Sequence, residues 1–318
     1  MNNNAKLKKI ISYAGTLLVI LSLVFIARRF MAEEDAFRTA FGMLTSPWVI
    51  IGLFAIAATE GLGILAAGLN FRALVRNVSG IVAPRPLALA VYTESNVYKY
   101  IPGGVMYVAG RNRLSVEIED LSHGKVALST VLEGVTMVIG VITVAVIFAF
   151  DHSVTYIQTL DILPVLMLIV GAILVVVAFV VYFMRHRIGG GLKRLTSNME
   201  TISFAVIAKR VGFAICLMFL YSVTFLMTLT IMGQEMTLSL GFAIIGLYLL
   251  AWLAGFITPG APSGIGVREV VMILFLGDFV HAGILTAAMV MHRVLTATGD
   301  VLAYFAAKGI VRATRSMV

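Results

Sequence analysis

The chain has 318 residues, 60% of them hydrophobic and 13% charged, whereas a soluble domain is about 45–50% apolar and about 25% charged. So little charge cannot cover a water-soluble protein of this length, and the sequence reads as an integral membrane protein. A single cysteine, Cys216, excludes an internal disulfide framework, and the net charge of +8 reads as a cytoplasmic-positive bias rather than as nucleic-acid binding.

A bilayer-crossing helix needs about 20 apolar residues. In chain order the predicted spans cover 10–27, 47–69, 126–150, 163–184, 211–232, 238–257 and 281–307. The first follows Lys6, Lys8 and Lys9 and is followed by Arg28 and Arg29 instead of a small-residue cleavage site. It is therefore read as a retained helix and not a signal peptide. Three connecting stretches are basic: the 2–9 tail, the 71–85 loop with Arg72, Arg76 and Arg85, and the 185–210 loop with six Lys/Arg and one Glu. The 151–161 loop has two Asp and no Lys or Arg, and the 233–237 loop has Glu235. The positive-inside rule puts the basic group in the cytoplasm and the acidic group outside, with the mixed 28–46 loop external by alternation. Lys308, Arg312 and Arg315 place the C-terminus in the cytoplasm with the N-terminus. Seven spans that start inside must end outside, so an eighth crossing is required. The 264–276 segment, apolar but too short for a full span, is the expected place for it, as a broken or re-entrant helix.

Two regions fit neither a span nor a loop. Residues 88–113 contain Asn96-Val97-Tyr98-Lys99-Tyr100-Ile101-Pro102-Gly103-Gly104, and residues 256–276 contain Ile257-Thr258-Pro259-Gly260-Ala261-Pro262-Ser263-Gly264-Ile265-Gly266-Val267-Arg268-Glu269. In each, a Pro-Gly pair follows an apolar-aromatic stretch and an Arg stands nine residues after the Pro: Arg111 after Pro102, Arg268 after Pro259. The offset of 157 is about half the chain, which suggests an internal repeat with halves 47–150 and 211–307 within one transmembrane domain, 1–318. Pro removes a backbone donor and Gly admits positive φ, so Pro102, Gly103, Gly104, Pro259, Gly260, Gly264 and Gly266 are the expected hinges. At membrane depth such breaks survive only where protein or a wet cavity surrounds them. Paired breaks in two halves point to a transporter's binding site, and freed amides at a helix N-terminus suit a phosphate. The plainer alternative is two unusual cytoplasmic loops, alike by coincidence.

Eight charged residues are placed at membrane depth: Glu60, Glu94, Lys99, Glu133, Arg268, Glu269, Arg293 and Asp300. Unpaired, they would cost on the order of 20 kcal/mol. Arg268 offers a fork for a phosphate and Glu269 complements a helix N-terminus, or the two hold the broken helix as a structural pair. Arg293 is expected to meet Glu60, Glu133 or a lipid phosphate, with Asp300 two turns further on the same face. Glu60, Glu133 and Asp300 are candidates for proton carriage or ion pairing. His292, beside Arg293, reads as a satisfied core residue. Glu94 and Lys99 are five apart and cannot form an i, i+4 pair, so Lys99 is expected to meet a headgroup or to snorkel. The five His show no metal-ligand spacing and no nucleotide phosphate loop is present, so neither a metal nor a cofactor is expected. The Gly189-Gly190-Gly191 run reads as a hinge, and 192–207 as partly amphipathic on the inner leaflet.

The stretch from Asn96 through Lys99, Tyr100, Ile101, Pro102, Gly103 and Gly104 to Arg111 resembles the first signature of the lysylphosphatidylglycerol synthase transmembrane, or flippase-like, family. Pro259, Gly260 and Gly264-Ile265-Gly266-Val267-Arg268-Glu269 resemble its second signature, and His292-Arg293 with Asp300 its third. The likeness covers nearly the whole chain with the motifs in order. It implies an all-α, polytopic protein of the bacterial or archaeal cytoplasmic membrane, with seven to eight transmembrane helices. It also implies a lipid translocase, moving an anionic phospholipid or a polyprenyl-phosphate-linked sugar between leaflets. Asn96, Lys99, Arg111, Arg268, Glu269 and Arg293 would then be substrate-binding residues. A glycosyltransferase or lipid-synthesis enzyme is the class of protein partner expected. The chain ends at Val318, soon after its last span, so synthase activity is not expected. The rival readings are a membrane-embedded lipid-phosphate transferase or phosphatase, for which the acids are too dispersed, and a non-catalytic partner of a membrane glycosyltransferase, which needs no buried charge.

Overall fold

The computed structural model describes residues 38, 42–100, 106–160, 204–258 and 262–315. The predicted spans at 10–27 and 163–184 lie outside these residues, as do the hinges Pro102, Gly103, Gly104, Pro259 and Gly260, the triple glycine at 189–191 and most of 192–207.

All described secondary structure is helical. The α-helices are α1 (Pro47–Ser79), α2 (Arg85–Val97), α3 (Met106–Arg111), α4 (Leu114–Glu117), α5 (His123–Leu160), α6 (Phe204–Ile231), α7 (Leu238–Ile257), α8 (Val267–Leu276) and α9 (Ala282–Arg315). Short 3-10 turns occupy Tyr98–Tyr100 and Pro262–Gly264. Five of the helices, α1, α5, α6, α7 and α9, are long and apolar enough to cross a membrane. The chain is thus an all-helical, multi-pass membrane protein.

Two helices outrun their expected spans. α1 continues ten residues past 69, because a bilayer limits the apolar stretch and not the helix. It stops at Gly80, whose left-handed backbone (φ 76°) caps it by donating to Arg76 O at 2.8 Å. α5 runs through most of the expected 151–161 loop to Leu160. Two Asp make that stretch polar, but no Gly or Pro interrupts it before Pro164.

α7 is the central helix: 61% of its most apolar window is buried, against 28–44% in the other four. Their outward residues, among them Trp48, Phe54, Leu62, Ile147 and Phe305, remain exposed, as lipid-facing residues should be. α6 is antiparallel to α1, since Gly52 lies beside Ile231, Glu60 beside Thr224 and Asn70 beside Arg210. α9 runs parallel to α1 and crosses it very closely. A Cβ on Gly61 would lie 2.9 Å from Gly299 O, and one on Gly299 would lie 2.8 Å from Ala57 O. The Lys125 Nζ on the first turn of α5 donates to Ser79 O on the last turn of α1, at 3.4 Å. The segment between them, containing α2 to α4, therefore leaves and returns at one end of the bundle.

After α7 the chain turns back on itself. A Cβ at Gly264 would lie 2.8 Å from Gly255 Cα, so only glycine permits this approach. Ser263, Gly264 and Gly266 take φ of 52°, 69° and 87° to make the turn. α8 then runs back along α7 for ten residues, about 15 Å.

Candidate functional site

The buried charges fall into three groups. Around Asp300, the Lys99 Nζ lies at 2.8 Å, and Asn96 Nδ2 and Tyr100 Oη each donate to the carboxylate at 2.6 Å. α9 supplies the acid, while α2 and its terminal turn supply the donors. The turn after α2 aims Lys99 at Asp300 of α9. Its side chain is still 28% exposed.

The second group lies at the N-terminus of α8. Arg293 Nε donates to Glu269 Oε1 at 2.7 Å and Arg293 Nη1 to Ser263 O at 2.9 Å. Arg293 therefore does not pair with Glu60 or Glu133. The fold-back of α8 puts Glu269 nearer, a juxtaposition no sequence spacing reveals. Glu269 Oε2 also accepts the Gly266 N–H at 2.6 Å, so the acid caps its own helix. Arg293 Nη2 is buried without a hydrogen-bond partner among the described residues.

Arg268, in the same turn, is buried and donates through Nη2 to Tyr248 Oη, with its guanidinium 4.6 Å from the ring centroid. Tyr248 Oη lies 3.0 Å from His292 Nε2, and His292 Nδ1 3.3 Å from Thr228 Oγ1. Proton counting orders this chain. Tyr248 accepts from Arg268, so its own proton goes to Nε2, and His292 is the neutral Nδ1–H tautomer donating to Thr228. Thr228 in turn donates to Thr224 O at 2.8 Å. His292 therefore holds Arg268 in place through Tyr248, consistent with a satisfied core histidine.

The two turns that carry these groups, Tyr98–Tyr100 and Pro262–Gly264, touch each other. Residues 100 and 263, far apart in sequence, thus bring Lys99, Arg268 and Arg293 toward one place.

The third group is separate. Arg111 pairs with Glu133, which also accepts from Tyr92 Oη at 2.8 Å. The Arg111 guanidinium lies 4.4 Å from the ring centroid of Tyr92, 4.9 Å from that of Phe71 and 5.3 Å from that of Tyr107. Arg111 is 5% exposed and Glu133 3%, so this is a closed cage that ties α3 to α5. Two further acids are held differently. Glu94 is not buried: it is 28% exposed and pairs with Arg113, at 3.0 Å. Glu60 is buried, yet its hydrogen bond is to the Thr224 hydroxyl, at 2.5 Å, and no cation among the described residues lies within ion-pair distance.

Tyr100, Tyr248, Thr224 and Ser263 are the participants that sequence reasoning missed. Tyr100 lies inside the first Pro-Gly motif and could have been drawn from it. Tyr248 and Thr224 lie in apolar spans, where one hydroxyl gives no signal.

Together these features define a class: an all-helical membrane protein whose interior charges converge where two broken segments meet. The chain matches the family model for the lysylphosphatidylglycerol synthase TM region over residues 11–303 and belongs to that family, a membrane domain linked to lipid handling. No curated protein matches it.

Proposed function

We propose that this protein is a lipid translocase and not an enzyme, moving a phosphate-bearing lipid headgroup between leaflets while the acyl or polyprenyl tails stay in the bilayer. An anionic phospholipid and a polyprenyl-phosphate-linked sugar share that headgroup chemistry. The observation that carries the reading is the convergence of Lys99, Arg268 and Arg293 on the contact between the Tyr98–Tyr100 and Pro262–Gly264 turns. Arg268 is buried while Lys99 and Arg293 stay partly exposed; charge at membrane depth is costly unless paired or used, and a guanidinium fork matches a phosphate. Arg293 Nη2 has no hydrogen-bond partner among the described residues.

Charge sorting supports an inner-membrane orientation. Arg72, Arg76, Lys125, Lys209, Arg210, Lys308 and Arg312 all belong to the bundle end where α1 and α9 finish and α5 and α6 begin. With that end in the cytoplasm, α2 to α4 form a hairpin re-entering from inside, and α7 with α8 one that returns to the outside. α9 then brings the C-terminus back to the cytoplasm.

The test is reconstitution of the purified chain in liposomes with labelled anionic phospholipids and polyprenyl-phosphate lipids. Protein-dependent movement between leaflets is expected. Arg268→Ala should lower its rate at least about tenfold, the worth of one charged hydrogen bond of about 1.5 kcal/mol, with an unchanged elution profile. No movement of any of these lipids overturns the translocase reading.

A further inference from the structure

The buried acids differ in how they are held. Asp300, Glu269 and Glu133 each have a cation and at least one further donor. Glu60, equally buried, has the Thr224 hydroxyl and no cation within ion-pair distance among the described residues. That hydroxyl lies 2.5 Å from Glu60 Oε1 and 2.8 Å from Tyr221 O. A hydroxyl has one proton, so Thr224 cannot donate to both. When Glu60 is ionised, Thr224 donates to it. When Glu60 is protonated, it donates to Thr224 Oγ1, which turns its own proton to the Tyr221 carbonyl. Both states are hydrogen-bonded with no heavy atom displaced.

The groups facing Glu60 set the charge balance. Arg268 from α8, Lys99 from the turn after α2 and Asp300 from α9 act on it at longer range, as do the phenols Tyr221 of α6 and Tyr248 of α7. α5 presents Glu133, already paired with Arg111. Among the described residues of the central cluster, Lys99, Arg268 and Arg293 stand against Glu269 and Asp300, which leaves one positive charge. An ionised Glu60 cancels it; a protonated Glu60 leaves it for one anionic ligand.

We propose that Glu60 is a proton site linked to the headgroup site, so that one proton and one monoanionic phosphodiester are carried together. The inference rests on the translocase reading and adds the coupling ion to it. The proton comes from water on the loading side, resides on the Glu60 carboxyl while the phosphate occupies the cluster, and leaves with the lipid. Linkage makes the effect reciprocal: the bound anion strengthens proton binding at Glu60 by the factor by which the proton strengthens anion binding.

The experiment uses proteoliposomes of the full chain with labelled phosphatidylglycerol as the monoanionic probe, valinomycin and symmetric potassium to hold the voltage at zero, and a pH difference of one unit. One-for-one coupling shifts the probe about tenfold toward the leaflet facing the alkaline side, since one pH unit is a tenfold proton ratio. In Glu60→Gln, whatever movement remains should be indifferent to the pH difference. If wild-type protein equilibrates the probe evenly despite the gradient, the coupling is overturned and the translocase reading stands. A Glu60→Gln protein that still follows the gradient also overturns the coupling. If wild-type protein moves no probe or related lipid, both fall. Should Glu60→Gln not fold, the wild-type response to the gradient decides alone.

Discussion

At the level of single residues, burial makes every charge depend on its partner. The Arg111–Glu133 pair should show this most sharply. Removing one member leaves an uncompensated buried ion, a loss of about 3–5 kcal/mol, while replacing both with apolar or neutral groups is far milder. Arg111→Met and Glu133→Gln are each expected to lower the melting temperature in detergent substantially, and the double variant to recover most of the loss. A double variant as unstable as the sum of the two singles would show that the pair is not coupled. Most of these buried charges were legible in the sequence, because an acid or base inside an apolar run has nowhere else to go. Glu60, Glu133, Arg268, Glu269 and Asp300 are all buried as that logic requires. Their partners were not legible. Asp300 meets Asn96 across 204 residues, and Arg293 meets Glu269 only because α8 folds back. Glu94 pairs with Arg113, which the turn after α3 brings beside it.

Among elements, the crossing of α1 and α9 fixes where Glu60 sits relative to Asp300. Gly299 meets backbone and the Glu60 Cβ, so an added methyl has no soft neighbour to displace. Gly299→Ala should therefore destabilise by about 1–3 kcal/mol, the usual range for overpacking. At Gly309, in the same helix, an added methyl would meet nothing within 4 Å. Gly309→Ala should be neutral or stabilising by up to about 1 kcal/mol, through helix propensity. Equal melting temperatures for the two variants would refute a tight crossing. Hydropathy located all five long helices within a few residues at their apolar ends. It misjudged their polar ends, as in α1 and α5, because a helix needs a breaker to stop and not merely a change of polarity. The 264–276 segment was expected to hold a broken or re-entrant helix, and α8 occupies Val267–Leu276 of it.

For the whole molecule, the decisive matter is which end faces the cytoplasm. A reporter enzyme fused after Val318 should be active only in the cytoplasm, and a cysteine introduced at exposed Asp120 should be labelled only from that side. External labelling of either position would invert the orientation. The contact between the Tyr98–Tyr100 and Pro262–Gly264 turns could not be read from the paired Pro-Gly motifs, because it depends on how the helices around them pack.

The backbone contact between Gly255 and Gly264 has a further consequence. With no side chain between the two chains, neither a file of water nor an acyl tail fits there, so the contact forms a seal along one flank of the turn. In the proposed transport, a headgroup reaching the charges would have to pass on the other side of the turn, toward Tyr98–Tyr100. An added methyl at Gly264 would push α7 and the turn apart and open this flank to water.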